Sequence, residues 1–281
     1  MNSTLDIILN NVDEEKSVKV YGKILLKSIQ LEKMLSCFDP EAEIYQINKA
    51  AYKKWVRISD ELWSILVECL QYNELTNGYF DIGLGKYKQK GDFLHETESN
   101  KVHGINSIEF DYKKKAIRFT SSLTAIDLGG IGKGLLLREV GLILDHFNVT
   151  NCLVSFGGSS ILVKGTHPFG DSWPLSVRDS VNGHRVLHLK DDCASFSGAE
   201  PESKTPDKNH IIDPQRLIPV ENKRFVIVQC KSPVLAEVLS TSLVIADHEF
   251  ISDIVSGLRP DKVFVYRKSA SNKIKQEYVL E

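Results

Sequence analysis

The stretch Ala125-Ile126-Asp127-Leu128-Gly129-Gly130-Ile131-Gly132-Lys133-Gly134 constrains this chain more than any other. A strand-like segment ends in an acid, a glycine turn follows, then a lysine, then an apolar run that reads as a helix. Glycines let backbone N–H groups approach a ligand, and a helix N-terminus favours anions. The lysine adds a point charge suited to phosphate. The G-x-x-x-x-G-K-[ST] spacing of a Walker loop is absent, and so is G-x-G-x-x-G. Taken alone, the block reads equally well as an anion-binding turn or as a plain strand-to-helix turn.

The rest of the chain sets the frame. Its 281 residues suffice for one large domain or two small ones with a sizeable core. A net charge of -2 gives no sign of a nucleic-acid or membrane-surface partner. Cys37, Cys69, Cys152, Cys193 and Cys230 form no C-x-x-C pair, and this scattered, odd set predicts reduced core thiols. The N-terminus carries no basic segment followed by an apolar run, and no run approaches the ~20 apolar residues that span a bilayer. A cytoplasmic location is the expectation.

The coarse pattern predicts an α+β fold. Leu5–Leu9 reads as a strand, and Val18, Tyr21, Leu25, Ile29, Leu31 and Met34 fall at helical spacing. Ser59-Asp60 is a plausible start for a helix to about Glu74, which Asn77-Gly78 ends. Residues 86–104 read as a loop, and residues 107–120 as a hairpin turning at Lys113–Lys115. Gly132–Phe147 reads as a helix, followed by strands at Cys152–Phe156 and Ile161–Lys164. A second hairpin is predicted around Asn182-Gly183. Residues 199–209 form a polar loop, and Phe225–Gln229 a strand. Ser232-Pro233 is a strong helix start, with the helix running to about Ala246. Asp261–Arg267 is a late strand, paired with Glu277–Leu280. Strands cluster in hairpins instead of alternating with helices, which favours α+β over a doubly wound sheet.

Five further features carry possible chemistry. Glu237 and Thr241 are i, i+4 on the Ser232-Pro233 helix, so a carboxylate and a hydroxyl share one face. Two oxygen ligands so placed suit a hard cation such as Mg²⁺. The plainer reading is a solvated glutamate and a threonine bonding its own helix, but a glutamate between Ala236 and Val238-Leu239 wants a partner. His210, in Asn209-His210-Ile211-Ile212-Asp213-Pro214, is a candidate base or ligand, or else structural. Ser197-Gly198 can close on a ligand by its backbone, or simply end a strand. Asp81, in Thr76-Asn77-Gly78-Tyr79-Phe80-Asp81, can anchor a ribose or an amide edge, or belong to an ordinary turn. Gly157-Gly158 ends a buried strand where a backbone can approach a flat or charged ligand.

In order and spacing these blocks resemble the ApbE family, the FAD:protein FMN transferases. Leu35-Ser36-Cys37-Phe38-Asp39-Pro40 with Glu43-Ile44 and Asn48 is similar to the family's S-x-F-D-P…S-E-I…N. Residues 76–81 resemble T-x-G-x-F-D, and 127–134 resemble D-L-G-G-I-A-K-G. Ser197-Gly198, His210–Pro214 and Pro219-Val220 resemble S-G…H-I-I-D-P…P-V, while Glu237 and Thr241 fall on D-A-x-x-T. The likeness covers nearly the whole chain, as one domain over residues 1–281. It implies an ApbE-like fold of mixed, mostly antiparallel sheets with packed helices and a ligand cleft between sub-lobes. It also implies bound FAD, Mg²⁺ at its pyrophosphate, and transfer of FMN to a Thr or Ser hydroxyl of an acceptor flavoprotein with release of AMP. By position, His210 and Lys133 would be catalytic. Asp81, Asp127, Lys133, Gly157, Gly158, Ser197, Gly198 and His210 would face the cofactor. Gly132 (through its carbonyl), Glu237 and Thr241 would hold the metal.

The departures cluster on these same positions. Glu237 replaces an aspartate, Gly132 an alanine, Ser159 an aspartate, and Arg216-Leu217 a Thr-Gly pair. The pattern fits three readings: an active FMN transferase, an enzyme that only splits FAD into FMN and AMP, or a flavin-binding protein with a diverged metal site.

Overall fold

A computed structural model describes residues 3–90, 104–179, 183–198, 211–220, 224–268 and 274–281. β1 (Leu5–Leu9) leads into α1 (Glu14–Leu35) and α2 (Glu43–Ala50). β2 (Val56–Arg57), α3 (Asp60–Leu75) and α4 (Gly85–Lys90) follow, then a 3-10 turn at Gly104–Ser107 and the hairpin β3 (Ile108–Asp111) and β4 (Ala116–Phe119). After α5 (Gly132–His146) come β5 (Cys152–Phe156), β6 (Ser160–Lys164), β7 (Trp173–Asp179), β8 (Gly183–Leu189) and β9 (Asp192–Gly198). The short β10 (Ile212–Asp213) and β11 (Ile218–Pro219) precede β12 (Arg224–Cys230), α6 (Pro233–Ile245), α7 (His248–Leu258), β13 (Lys262–Lys268) and β14 (Ile274–Leu280). The named strands pair antiparallel throughout the described residues, so the α+β reading holds.

The chain divides into two compact units. The first comprises Met1–Ile29, Ile131–Asp207 and Asn222–Glu281, the second Gln30–Gly130 and Lys208–Glu221. The first unit is built on a seven-stranded sheet in the order β1-β5-β6-β9-β12-β13-β14. Side chains alternate between its faces. On one face Ile161, Ala194, Ile227 and Phe264 pack under Trp173, Leu187 and Leu189 of the β7–β8 hairpin. On the other, α6 packs on β9 and β12, and α5 packs on α6. Covered on both sides, β12 is buried along its whole length. Ser232 accepts the Leu235 N–H at 3.2 Å and Pro233 opens α6, as the sequence predicts. Among the described residues no helix is long and apolar enough to cross a membrane.

The second unit holds the three-stranded sheet β2-β4-β3 and the β10–β11 ribbon. Ser59 caps α3 by accepting the Leu62 N–H at 3.3 Å. Leu84, Tyr87 and Ile212 form a small core with Leu123 and Leu217.

Two expectations change. Val18, Tyr21, Leu25 and Ile29 are exposed, Val18 at 65%, while Val20, Ile24, Leu31 and Met34 are buried. Helical spacing in α1 admits two apolar stripes, and periodicity does not say which one faces the core. Residues 85–90, read in part as loop, form α4. The helices α2 and α7 were not anticipated. The Asn182 turn, the 199–209 loop and His210 lie outside the described residues. All five cysteines are free; Cys69, Cys152, Cys193 and Cys230 are buried, and Cys37 is half-buried. Burial pushes the Cys37 and Cys152 thiols up to about 11, so they are poor nucleophiles.

Candidate functional site

The first turn of α5 meets α6 closely enough to need a glycine. A Cβ on Gly134 would stand 2.7 Å from the Pro233 carbonyl oxygen and 2.8 Å from the Val234 Cα. This contact brings the Gly134 N–H onto the carboxylate of Glu237, whose Oε2 accepts it. Glu237 is 3% exposed on a mostly apolar helix, and its Oε1 lies 3.5 Å from Lys133 Nζ. Burial pushes the Glu237 carboxyl above the usual carboxylate range, while the Lys133 ammonium and the Gly134 N–H pull it back. The start of α5 adds its own positive end. The partner that a lone acid among apolar neighbours calls for is therefore Lys133 with the α5 N-terminus.

Lys133 also donates to Ser159 Oγ. Ser159 is positioned by Gly157-Gly158, which stand at φ 62° and 68°, a left-handed turn that glycine adopts without steric cost. Thr241 is half-buried one turn beyond Glu237 on α6. Gly132 is the first residue of α5, so its carbonyl points down the helix axis. Ser197 on β9 lies 2.8 Å, oxygen to oxygen, from Ser240 of α6, and Gly198 closes β9 opposite Phe225.

The candidate acids of the second unit are engaged differently. Asp81 Oδ1 accepts the Gly83 N–H at 2.6 Å and the Ile105 N–H at 2.9 Å. Burial pushes its carboxyl up to about 6, against the pull of those two N–H groups and of Lys88. Asp127 accepts the Gly129 N–H at 2.7 Å and lies 3.2 Å from Lys88 Nζ, which shapes the glycine turn. Asn48 clasps the backbone just ahead of it, accepting from the Ile126 N–H at 2.7 Å and donating to the Ile126 carbonyl at 2.8 Å.

The predicted residues thus sort into groups. Lys133 and Glu237 touch, Thr241 shares the Glu237 helix face, and Gly157-Gly158 aim Ser159 at Lys133. Ser197 reaches α6 through Ser240. Asp81 and Asp127 belong to the second unit, where each holds a turn. Sequence reasoning missed Ser240 and the close approach at Gly134. A second polar residue three positions after Glu237 on an apolar helix was the available signal for Ser240. Among the described residues no group of three or more His, Cys, Asp or Glu side chains converges.

The ApbE family model matches residues 1–264 of this chain. The FAD:protein FMN transferase of Chlamydia muridarum is 26% identical over 213 residues, which cover 70% of this chain and 65% of that protein. This chain thus spans just under two-thirds of that relative. The FAD:protein FMN transferase of Chlamydia trachomatis is 27% identical over 230 residues, 76% of this chain and 71% of that protein. The flavin transferase ApbE from Vibrio cholerae superposes with a TM-score of 0.82 at 21% identity, over 99% of this chain and 94% of its own.

Proposed function

The chain belongs to the ApbE family, and from that premise we propose that it transfers FMN from FAD to a Thr or Ser hydroxyl of an acceptor flavoprotein, releasing AMP. The observation that carries this reading is the buried Glu237 carboxylate between the Gly134 N–H and Lys133, one turn from the half-buried Thr241. Breaking a pyrophosphate needs charge neutralisation and positioning more than covalent help from the protein. Lys133 and the N-terminus of α5 offer positive charge to the phosphates. Ser159 fixes the lysine's direction. The acceptor hydroxyl oxygen bonds to the phosphorus of the FMN half, the bond from that phosphorus to the AMP oxygen breaks, and AMP leaves. His210 takes the hydroxyl proton, or sits against the flavin phosphate while that proton passes to water.

The donor set also suits Mg²⁺. That ion binds through one or two carboxylates with waters and substrate phosphates, so a cluster of three acids is not required. Glu237 and Thr241 would hold it, with the Gly132 carbonyl as a third candidate. When bound, it would offset charge on the pyrophosphate.

The test is AMP release from FAD with an FMN-acceptor domain, with and without Mg²⁺. The expected outcome is Mg²⁺-dependent AMP in step with flavin that stays on the denatured acceptor. AMP without bound flavin identifies a pyrophosphatase. Bound FAD with no AMP identifies a flavin-binding protein.

A further inference from the structure

Three serine hydroxyls join β9 to α6 beside Glu237. Ser195 Oγ lies 2.9 Å and Ser197 Oγ 2.8 Å from Ser240 Oγ, and Ser240 Oγ lies 3.1 Å from the Glu237 carbonyl oxygen. Ser240 is fully buried, Ser195 is 1% exposed, and Ser197 is half-buried. Each hydroxyl has one proton and two lone pairs. The Glu237 carbonyl can only accept. One arrangement makes all three contacts attractive: Ser240 donates to the Glu237 carbonyl, and Ser195 and Ser197 both donate to Ser240. Any other direction places a lone pair against the carbonyl, which is costly in a buried site.

From this geometry we propose that Ser240 is a positioning residue that fixes the polarity of Ser197. With its proton committed inward, Ser197 presents only lone pairs to a ligand. It therefore accepts from an N–H or O–H group and is mismatched to an unprotonated phosphate oxygen. The inference rests on the FAD reading above and refines it. Lys133 and the α5 N-terminus serve the phosphates, while Ser197 reads a donor edge, either the imide N–H of the isoalloxazine or the amino group of the adenine.

The test is FAD affinity, read by flavin fluorescence in the absence of acceptor. It compares FAD with an N3-methyl flavin analogue, which lacks the imide donor, and with a hypoxanthine analogue, which lacks the adenine amine. The wild type is expected to bind one of the two about fivefold more weakly than FAD, the loss of one neutral hydrogen bond. Ser197→Ala is expected to bring that ratio close to one, and Ser240→Ala, which frees the Ser197 proton to turn towards the ligand, to lower it part of the way. Ser195→Ala removes an equal helix-to-sheet link but leaves the Ser197–Ser240 bond, so it is expected to keep the ratio. Thermal unfolding of each variant reads the structural contribution separately. A wild type that binds FAD but discriminates against neither analogue overturns the proposal. So does a Ser240→Ala variant that loses stability but keeps full discrimination. A wild type that binds no FAD refutes the functional reading itself, and this inference falls with it.

Discussion

In the second unit both Asp81 carboxylate oxygens face backbone, Oδ1 accepting the Gly83 N–H and the Ile105 N–H reaching both; in the first, Glu237 turns one oxygen to the Gly134 N–H and the other towards Lys133. Burial pushes both carboxyls up. Their neighbours differ in kind. Ser36 accepts the Asp39 N–H at 3.1 Å, Asn48 clasps Ile126, and Thr76 accepts the Phe80 N–H at 3.0 Å. These motif side chains of the second unit bind backbone within that unit. In the first unit Lys133 meets Ser159 and Glu237, and Ser197 meets Ser240. A motif residue that closes a turn is accounted for by the fold. A buried charge answered mainly by other side chains and a helix end has capacity left for a ligand.

Glu237→Gln is the sharpest way to break this contrast. Glutamine keeps the length and an oxygen for the Gly134 N–H but removes the charge facing Lys133. FMN transfer is expected to fall about 100-fold, on the scale of losing one preorganised electrostatic group, while the thermal midpoint moves little. Glu237→Asp, one methylene shorter, draws the acceptor away from Gly134 and is expected to lower the rate as well. A Glu237→Gln enzyme within twofold of wild type would make the first-unit cluster as structural as the Asp81 clamp.

Gly134→Ala tests whether the contact between α5 and α6 assembles the cluster. Its Cβ would meet Pro233 and Val234 backbone, and would stand 3.1 Å from Glu237 Oε2. Backbone cannot yield as a side-chain tip can. A loss of about 1–3 kcal/mol in urea unfolding is expected, together with a slower transfer rate as Glu237 is displaced. Unchanged unfolding would mean that the contact between α5 and α6 opens readily enough to admit a methyl group.

Much of this was legible because local chemistry and fold agree. Ser232-Pro233 marked the start of α6, and Gly132-Lys133-Gly134 marked the start of α5. The β7–β8 and β3–β4 pairings followed from alternation and turn residues. What stayed hidden depends on partners distant in sequence. The buried stripe of α1 is chosen by packing. The roles of Asp81 and Asn48 emerge only once Ile105 and Ile126 are beside them. Glu237 was visible as an anomaly, but its ties to Gly134 and Lys133 span a hundred residues of chain. The Arg216-Leu217 departure now has a physical reading. Leu217 stands at φ 56°, a left-handed backbone that costs a side-chain-bearing residue about 1–2 kcal/mol and a glycine nothing comparable. Arg216 pairs with Asp213 at 2.7 Å in the same turn.

The last expected effect concerns the clamp itself and touches stability alone, leaving the transfer rate aside. With its pKa raised to about 6 in the fold, Asp81 holds a proton that the unfolded chain releases near pH 4. The folded state therefore binds more protons than the unfolded state across that interval. Stability contributed by Asp81 is greatest below about pH 4, declines as pH rises towards about 6, and is level above that. Asp81→Asn keeps an oxygen for the Gly83 and Ile105 N–H groups but does not titrate. The variant is thus expected to gain on the wild type as pH rises through this window, seen as a urea midpoint difference that grows between about pH 4 and 6 and then stays constant. Parallel profiles for the two proteins would show that the Asp81 carboxyl is solvated. Its hydrogen bonds to backbone would then no longer separate it from Glu237.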